Sequence, residues 1–183
     1  MIHTEHLQLI PHTPDQLLAL MERPEKYQDL AGFPAAAGLR EFFVSGEVSQ
    51  GFLDSLRKLT GADPWRLGFA VVHLETRAVI GSGGFTGPPD TDGVVEIAYG
   101  IAPGYQGRGY ATEVARALIA YAIDNGDVRR LRAHTRPEAN ASTKVLTKCG
   151  FEFLGELMNP DDGRVWRWER HAAGRPDATV PRR

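Results

Sequence analysis

Cysteine is almost absent from this sequence. Its one cysteine, Cys149, excludes an internal disulfide framework and a cysteine-based zinc site. The six histidines have no metal-ligand spacing, so the sequence predicts no metal centre. A chain without disulfides is typical of a reducing compartment, and we expect a cytoplasmic protein.

Long apolar runs and an excess of charge of one sign are also missing. No apolar stretch approaches the length of about 18 residues that a membrane span needs. The first residues carry Glu5 and two histidines instead of the apolar core of a signal peptide. The 21 basic and 23 acidic residues leave a net charge of −2. We therefore expect neither a membrane nor a nucleic acid as a partner.

The 183 residues are enough for one sizeable core, and a second domain would be cramped. Apolar periodicity predicts strands over residues 7–10, 66–74, 78–85, 94–101, 129–135, 151–157 and 165–169. It predicts helices after Thr13-Pro14 and over residues 111–122 and 141–148, and little that is regular over residues 23–59. We predict one domain over residues 1–171 and a mobile tail over residues 172–183.

The most informative segment covers residues 106–111, with the sequence QGRGYA, between a predicted strand and a predicted helix. Such a turn offers backbone N–H groups and a positive helix end to a phosphate. A P-loop would carry Lys and then Ser or Thr after the second glycine, but Tyr110 and Ala111 follow Gly109. A dinucleotide-binding loop would carry a third glycine where Thr112 stands. Neither of these two loop types fits the segment.

The segment resembles the pyrophosphate-binding motif of the GCN5-related N-acetyltransferases (GNAT). That motif reads Gln or Arg, two residues, Gly, one residue, then Gly or Ala, and Gln106, Gly109 and Ala111 match it. The sequence NASTKVL, which starts at Asn140, and the sequence KCGF after it are similar to the segment that closes the same site in this family. The sequence TEHLQLIP near the N-terminus resembles the first strand of the ribosomal-protein N-acetyltransferase-like branch.

The resemblance implies a single α+β domain with a twisted, mixed, mostly antiparallel sheet and helices on both faces. It implies transfer of an acetyl group from acetyl-coenzyme A to a primary amine by direct attack, with no metal. The acceptor stays open between a protein N-terminus, an aminoglycoside-like amine and a small metabolite. A non-catalytic acyl-coenzyme A sensor with the same fold is the alternative function. A homodimer that pairs through an exposed last strand stays open as well.

The same resemblance assigns a cofactor site along the strand and the loop. Backbone N–H groups over residues 107–111 are expected to bind the pyrophosphate. The edge of the preceding strand is expected to pair with the pantetheine arm, and an N–H near Gly100 or Ile101 to stabilise the oxyanion. The predicted cofactor-binding residues are Tyr99, Gly100, Ile101, Gln106, Gly107, Arg108, Gly109, Tyr110, Ala111, Thr112, Asn140 and Ser142.

Two residues are candidates for proton transfer. Glu96 is the one acidic residue on the strand over residues 94–101 and shares a face with small residues. It is predicted to take a proton from the amine, directly or through water, and pairing with an arginine is its alternative use. Many relatives have a tyrosine five residues before the Phe of the Gly-Phe pair, where this sequence has Leu146. Ser142 is the substitute that the resemblance suggests for protonating the leaving thiolate, and helix capping is its alternative use.

Three aromatic residues in the first half are candidates for the wall of an acceptor cleft. They are Phe42, Phe43 and Trp65, and core packing is the alternative use of each. Cys149, beside the Gly-Phe pair, is expected to be a small buried apolar residue instead of a nucleophile.

Overall fold

The computed structural model describes residues 1–44, 50–160 and 163–172. The strands in these residues are β1 (Ile2–His3), β2 (Leu7–Pro11), β3 (Phe69–His73), β4 (Ala78–Phe85), β5 (Val94–Ile101), β6 (Arg130–Thr135), β7 (Glu152–Asn159) and β8 (Gly163–His171). They form one sheet with the order β1-β2-β3-β4-β5-β6-β8-β7. Strands β5 and β6 pair in parallel, and the other described neighbours pair antiparallel. The structure therefore confirms the predicted mixed, mostly antiparallel sheet.

The described helices are α1 (Pro14–Glu22), α2 (Tyr27–Ala31), α3 (Glu41–Val44), α4 (Gln50–Lys58), α5 (Pro64–Leu67), α6 (Tyr110–Asn125) and α7 (Ala141–Lys148). The start of α1 follows from local sequence, because Thr13 and Gln16 exchange side-chain and backbone hydrogen bonds in a capping box. Helix α6 is the crossover that the parallel pair β5 and β6 requires. None of the described helices is long and apolar enough to cross a membrane.

Helices cover both faces of the sheet, as the burial of β3 shows. Phe69 and Val71 join the main core together with apolar residues of α6. Ala70 and Val72 alternate to the other face and pack against residues of α1 and α2. A strand buried on both faces needs a continuous apolar run, which is what β3 has. The predicted helices on both faces are confirmed.

The start of β3 differs from the prediction. The sequence reads as a strand from Arg66, but Pro64–Leu67 form helix α5 and the strand begins at Phe69. The Asp63 carboxylate accepts hydrogen bonds from the N–H groups of Trp65 at 3.0 Å and Arg66 at 3.3 Å. An acidic N-cap followed by proline starts a helical turn, and this local signal outweighs the apolar run after it.

The remaining boundaries move by a few residues. Strand β1 precedes the predicted first strand, and α2, α3 and α4 occupy much of the segment without clear periodicity. The predicted turn residues 161–162 and the predicted tail from residue 173 onward lie outside the described residues. The division into a domain and a mobile tail therefore stays a prediction.

Gly83 sets the distance between the sheet and α6. A Cβ atom at this position would lie 2.7 Å from Val114 Cγ1 and 3.3 Å from Leu118 Cδ1. Only a glycine leaves room for the helix at this separation, since real Cβ contacts are longer. The contact fixes the first turns of α6, and with them the loop in front of the helix.

Candidate active site

The loop before α6 presents a row of unpaired backbone N–H groups. Gly107 and Gly109 have φ angles of +76° and +89°, a left-handed conformation that glycine adopts without strain. The N–H groups of Thr112 and Glu113 bond to the Gly109 carbonyl. In the described part of the chain, the N–H groups of residues 107–111 meet no acceptor. Free N–H groups at the positive end of a helix are the donors that an anion-binding site needs.

Gln106 anchors this loop to the end of β5. Its side-chain Nε2 donates a hydrogen bond to the Ile101 carbonyl at 2.8 Å. Arg108 is exposed, and its guanidinium lies over the ring of Tyr105, 5.8 Å from the centroid. Gln106 therefore positions the loop, and Arg108 places a positive charge beside it.

Strands β5 and β6 separate next to the loop. Their parallel pairing is confined to residues 94–96 of β5 and residues 130–132 of β6. Beyond this point β5 continues to pair with β4 but has no strand on its other side within the described residues. The second half of β5 therefore has a free edge that faces a gap.

The hydrogen-bond ladder decides which backbone groups face that gap. The backbone groups of Glu96 and Ala102 bond to the β4 segment. Because the bonding direction alternates along an antiparallel strand, Gly100 also faces β4, whereas Tyr99 and Ile101 face the gap. Of the two predicted oxyanion donors, the N–H of Ile101 is the one that this alternation directs into the gap.

A cavity of about 420 Å³ joins the loop, the gap and α7. The predicted cofactor residues that line it are Tyr99, Gly100, Ile101, Gln106, Gly107, Gly109, Tyr110, Ala111, Thr112 and Ser142. Arg108 and Asn140 are not part of the lining. Lys144 and Lys148, one helical turn apart on α7, line the cavity and were not predicted. Their i, i+4 spacing behind the Asn140 segment is the sequence signal that could have indicated them.

Asn140 caps α7. Its side-chain oxygen accepts a hydrogen bond from the Thr143 N–H, and the Thr143 hydroxyl accepts one from the Asn140 N–H, both at 3.1 Å. Ser142 is therefore not the cap, and its half-buried side chain lines the cavity instead. The cofactor contact of Asn140 stays a prediction, and the structure adds a capping role that accounts for its position.

Tyr99 lines the cavity, and its hydroxyl is buried. This hydroxyl has no hydrogen-bond partner among the described residues. Burial, together with the nearby Cys149, raises the pKa of Tyr99, so the phenol stays protonated at neutral pH. The Tyr99 hydroxyl is therefore a buried donor without a partner among the described residues. Cys149 itself is buried, and burial raises the pKa of its thiol, as expected for a packing residue.

Glu96 bonds to a histidine. Its Oε1 lies 2.9 Å from His134 Nδ1, and the side chains of Glu96 and His134 are 28% and 14% exposed. On the neighbouring strands, Arg132 and Arg167 bond to Glu169 instead. His134 lies 38 residues after Glu96 in the chain, so no local pattern indicated this pair.

Glu113, in the first turn of α6, ties the N-terminal segment to the loop. Its carboxylate accepts hydrogen bonds from the Thr4 hydroxyl and from the His6 N–H at 2.8 Å, and lies 3.1 Å from His6 Nδ1. Burial raises the pKa of Glu113, but the bonds from Thr4 and His6 outweigh burial and hold the pKa below its usual value. The negative charge at the helix start is therefore stable near neutral pH.

Comparison with known proteins decides the family. Residues 6–152 match the family described as the acetyltransferase (GNAT) domain. The chain belongs to the GNAT acetyltransferases. Among curated GNAT relatives, the uncharacterized N-acetyltransferase YjdG of Bacillus subtilis is 29% identical over 136 residues, 74% of this chain and 70% of YjdG. The uncharacterized N-acetyltransferase p20 of Bacillus licheniformis is 33% identical over 91 residues, 50% of this chain and 51% of p20.

Solved GNAT structures share the fold of this chain. An acetyltransferase of the GNAT family from Bacillus anthracis has a TM-score of 0.64 at 18% identity, over 94% of this chain and 98% of its own. RimL, a ribosomal alpha-N-protein acetyltransferase solved with coenzyme A, has a TM-score of 0.62 at 15% identity, over 94% of this chain and 97% of its own. The predicted family, fold and N-acetyltransferase activity that uses acetyl-coenzyme A are confirmed.

This GNAT enzyme has a second cavity, of about 340 Å³, along β4 and β5. It shares Phe42, Tyr99 and Gly100 with the first cavity. The rings of Phe43 and Phe85 complete an aromatic wall, and the backbones of glycines in β4 form part of the lining. Phe42 and Phe43 therefore both line this cavity, and Phe43 also packs against the core.

Trp65 packs in the core, which was the alternative to a place in the acceptor cleft. Its ring packs against Phe85 with 4.6 Å between the centroids and against Tyr121 with 5.5 Å. It lines neither of the two cavities described above. Trp65 therefore packs in the core of the GNAT domain.

Proposed function

We propose that this enzyme acetylates a primary amine carried on an apolar body, by direct attack of the amine on acetyl-coenzyme A bound between β5 and β6. The observation that carries the proposal is the shared wall of the two cavities. Phe42, Tyr99 and Gly100 line both, so a donor in one cavity and an acceptor in the other would meet at β5 without a covalent enzyme intermediate.

The donor half of the proposal rests on the loop and the free strand edge. The unpaired N–H groups of residues 107–111 would bind the pyrophosphate, and Lys144 and Lys148 would add positive charge from α7. The pantetheine amides would pair with the backbone of Tyr99 and Ile101, as an added strand does. This places the thioester carbonyl near the Ile101 N–H, which would stabilise the oxyanion.

Proton transfer completes the reaction. The ammonium loses one proton on the Glu96 side of β5, and the nitrogen lone pair forms the C–N bond to the thioester carbon. The C–S bond then breaks, its electron pair leaves with sulfur, and the thiolate receives the second nitrogen proton. Ser142, which lines the cavity, is the side chain that would pass that proton to sulfur.

The acceptor half of the proposal rests on the composition of the second cavity. Aromatic rings from Phe42, Phe43 and Phe85 favour an apolar group next to the amine. Among the described residues that line it, the one cation is Arg66, which is already paired with Asp63 at 3.1 Å. A peptide whose N-terminal residue is apolar, or a small aryl or alkyl amine, fits this lining better than a polycation does.

A thiol-release assay with acetyl-coenzyme A tests the proposal on an acceptor panel. We expect turnover with apolar N-terminal peptides and arylalkylamines, and little with spermidine or an aminoglycoside. Phe42→Ala should raise the KM for the best amine by about tenfold, since apolar contacts of this size set such ratios. Ile123→Ala, at an exposed apolar position on α6, is the control. Preference for polycations would overturn the acceptor class, and coenzyme A binding without turnover on any amine would favour the sensor function.

A further inference from the structure

We infer that Nε2 of His134 is the base that takes the proton from the amine, and that Glu96 is a positioning residue that orients the imidazole. This inference rests on the proposed function and assigns its proton-transfer step to particular atoms. It reverses the simpler expectation that the Glu96 carboxylate is itself the base.

The first argument is position along the two separating strands. Glu96 lies opposite Arg132, in the last paired register of β5 and β6. His134 lies two residues further along β6, where the strands no longer pair. If the same register is continued, His134 lies opposite Ala98. Ala98 is exposed and lines the second cavity, along β4 and β5. The backbone of His134 therefore lies further along the gap than the backbone of Glu96.

The second argument is the hydrogen bond between the two side chains. An ionised carboxylate only accepts hydrogen bonds, so the 2.9 Å contact between Glu96 Oε1 and His134 Nδ1 places the proton on Nδ1. Nε2 of the neutral ring then carries a lone pair. No described residue hydrogen-bonds to Nε2. A carboxylate that holds an imidazole in this tautomer is the arrangement that makes histidine an effective base.

The third argument is the charge around the pair. Arg167 lies opposite His134 in the β6–β8 ladder, and Arg132 lies on the same strand. Both guanidinium groups donate to Glu169, which also lies 3.6 Å from Arg130. Because Glu169 holds these arginines, the Glu96 carboxylate stays available to His134.

The proton balance of the step is complete with these groups. Nε2 accepts one proton from the ammonium, the freed lone pair forms the C–N bond, and the C–S bond breaks toward sulfur, which takes the second nitrogen proton. The imidazolium returns its proton to solvent after the product leaves. Glu96 gains and loses no proton, and it stabilises the positive charge that forms on the ring.

Matched glutamine variants test the assignment. His134→Gln should lower kcat by about a hundredfold or more, the usual contribution of a general base, with the KM for acetyl-coenzyme A unchanged. Glu96→Gln should lower kcat less, because the amide oxygen of the glutamine still accepts a hydrogen bond from His134 Nδ1. In His134→Gln the acid limb of the kcat/KM pH profile should follow the ionisation of the free amine, because no enzyme base remains to take its proton, whereas in Glu96→Gln an enzyme base still contributes to that limb. His3→Gln, at an exposed position in β1, is the control. A larger loss in Glu96→Gln than in His134→Gln would overturn the inference.

A second readout does not depend on turnover. Nitrogen-15 NMR of the histidine rings should show His134 as the Nδ1–H tautomer in the wild type, with a changed Nδ1 signal in Glu96→Gln. An Nε2–H tautomer would overturn the inference even if the enzyme acetylates amines. If no amine on the panel turns over, the proposed function fails, whereas an Nε2–H tautomer in an active enzyme overturns only the assignment of His134.

Discussion

Replacing Gly109 with alanine tests the anion site of this GNAT enzyme most directly. Gly109 precedes the first residue of α6 and has a φ angle of +89°. A Cβ atom there would meet no atom within 4 Å, so the substitution introduces no clash. Its whole effect is the cost of holding alanine in a left-handed conformation, about 1–2 kcal/mol.

That cost must appear in a thermodynamic cycle of folding and coenzyme A binding. The loop is exposed and its N–H groups are unpaired, so in the free variant it can relax to a negative φ angle. Binding then has to restore the left-handed conformation, which weakens the affinity by about five- to thirtyfold at 1.4 kcal/mol per factor of ten. If the loop does not relax, the same energy appears as lost stability of the free protein.

The assay combines calorimetric titration with coenzyme A and urea unfolding of the free protein. Gly104→Ala is the matched control, because Gly104 lies just before the loop, has no positive φ angle and also has open space around it. Both variants gain the same entropy benefit in the unfolded chain, so the difference between them isolates the strain. If the summed losses for Gly109→Ala are no larger than those for Gly104→Ala, coenzyme A is not bound by this loop in this conformation.

Two further substitutions test packing and charge around the site. Glu113→Gln should lower the free energy of unfolding by about 1–3 kcal/mol, because charge-assisted bonds from Thr4 and His6 are lost. The hydrogen bonds hold the pKa of Glu113 below its usual value. Urea unfolding should therefore show the stability difference between wild type and variant above about pH 4.3, and the difference should vanish as the pH falls through the native pKa. A stability difference that does not depend on pH would contradict this prediction. Gly83→Ala should cost about 1–3 kcal/mol in the same assay, because its Cβ would lie 2.7 Å from Val114 Cγ1, and unchanged stability would refute the tight contact.

Local signals predicted the elements whose causes lie within a few residues. Thr13 and Pro14 predict the start of α1. The apolar residues at helical spacing from Ala111 onward predict α6. The predicted start of β3 was wrong because Arg66 and Leu67 were assigned to the strand, although the Asp63 cap starts a helical turn that includes them. Few elements could be predicted over residues 23–59. The short helices there are stabilised by tertiary contacts and have no clear apolar periodicity.

The candidate site also contains some residues that local sequence predicts and others that it does not. The loop over residues 106–111 is a contiguous motif, and the structure brings most of its residues to one cavity. Glu96 was singled out from its strand alone, but its partner His134 belongs to another strand. Asn140 was predicted to contact the cofactor. The structure shows in addition that Asn140 caps α7 through a hydrogen bond with Thr143, which the family resemblance did not predict.

The sequence by itself determined the family, the single mixed-sheet fold and the donor, because each depends on short motifs and on local periodicity. Only the tertiary structure decided where β5 and β6 part, which backbone groups face the gap, and that Glu96 meets His134 instead of an arginine. The physical reason is that strand register and side-chain pairing across a sheet join residues far apart in the chain, and these contacts leave no trace in any one segment.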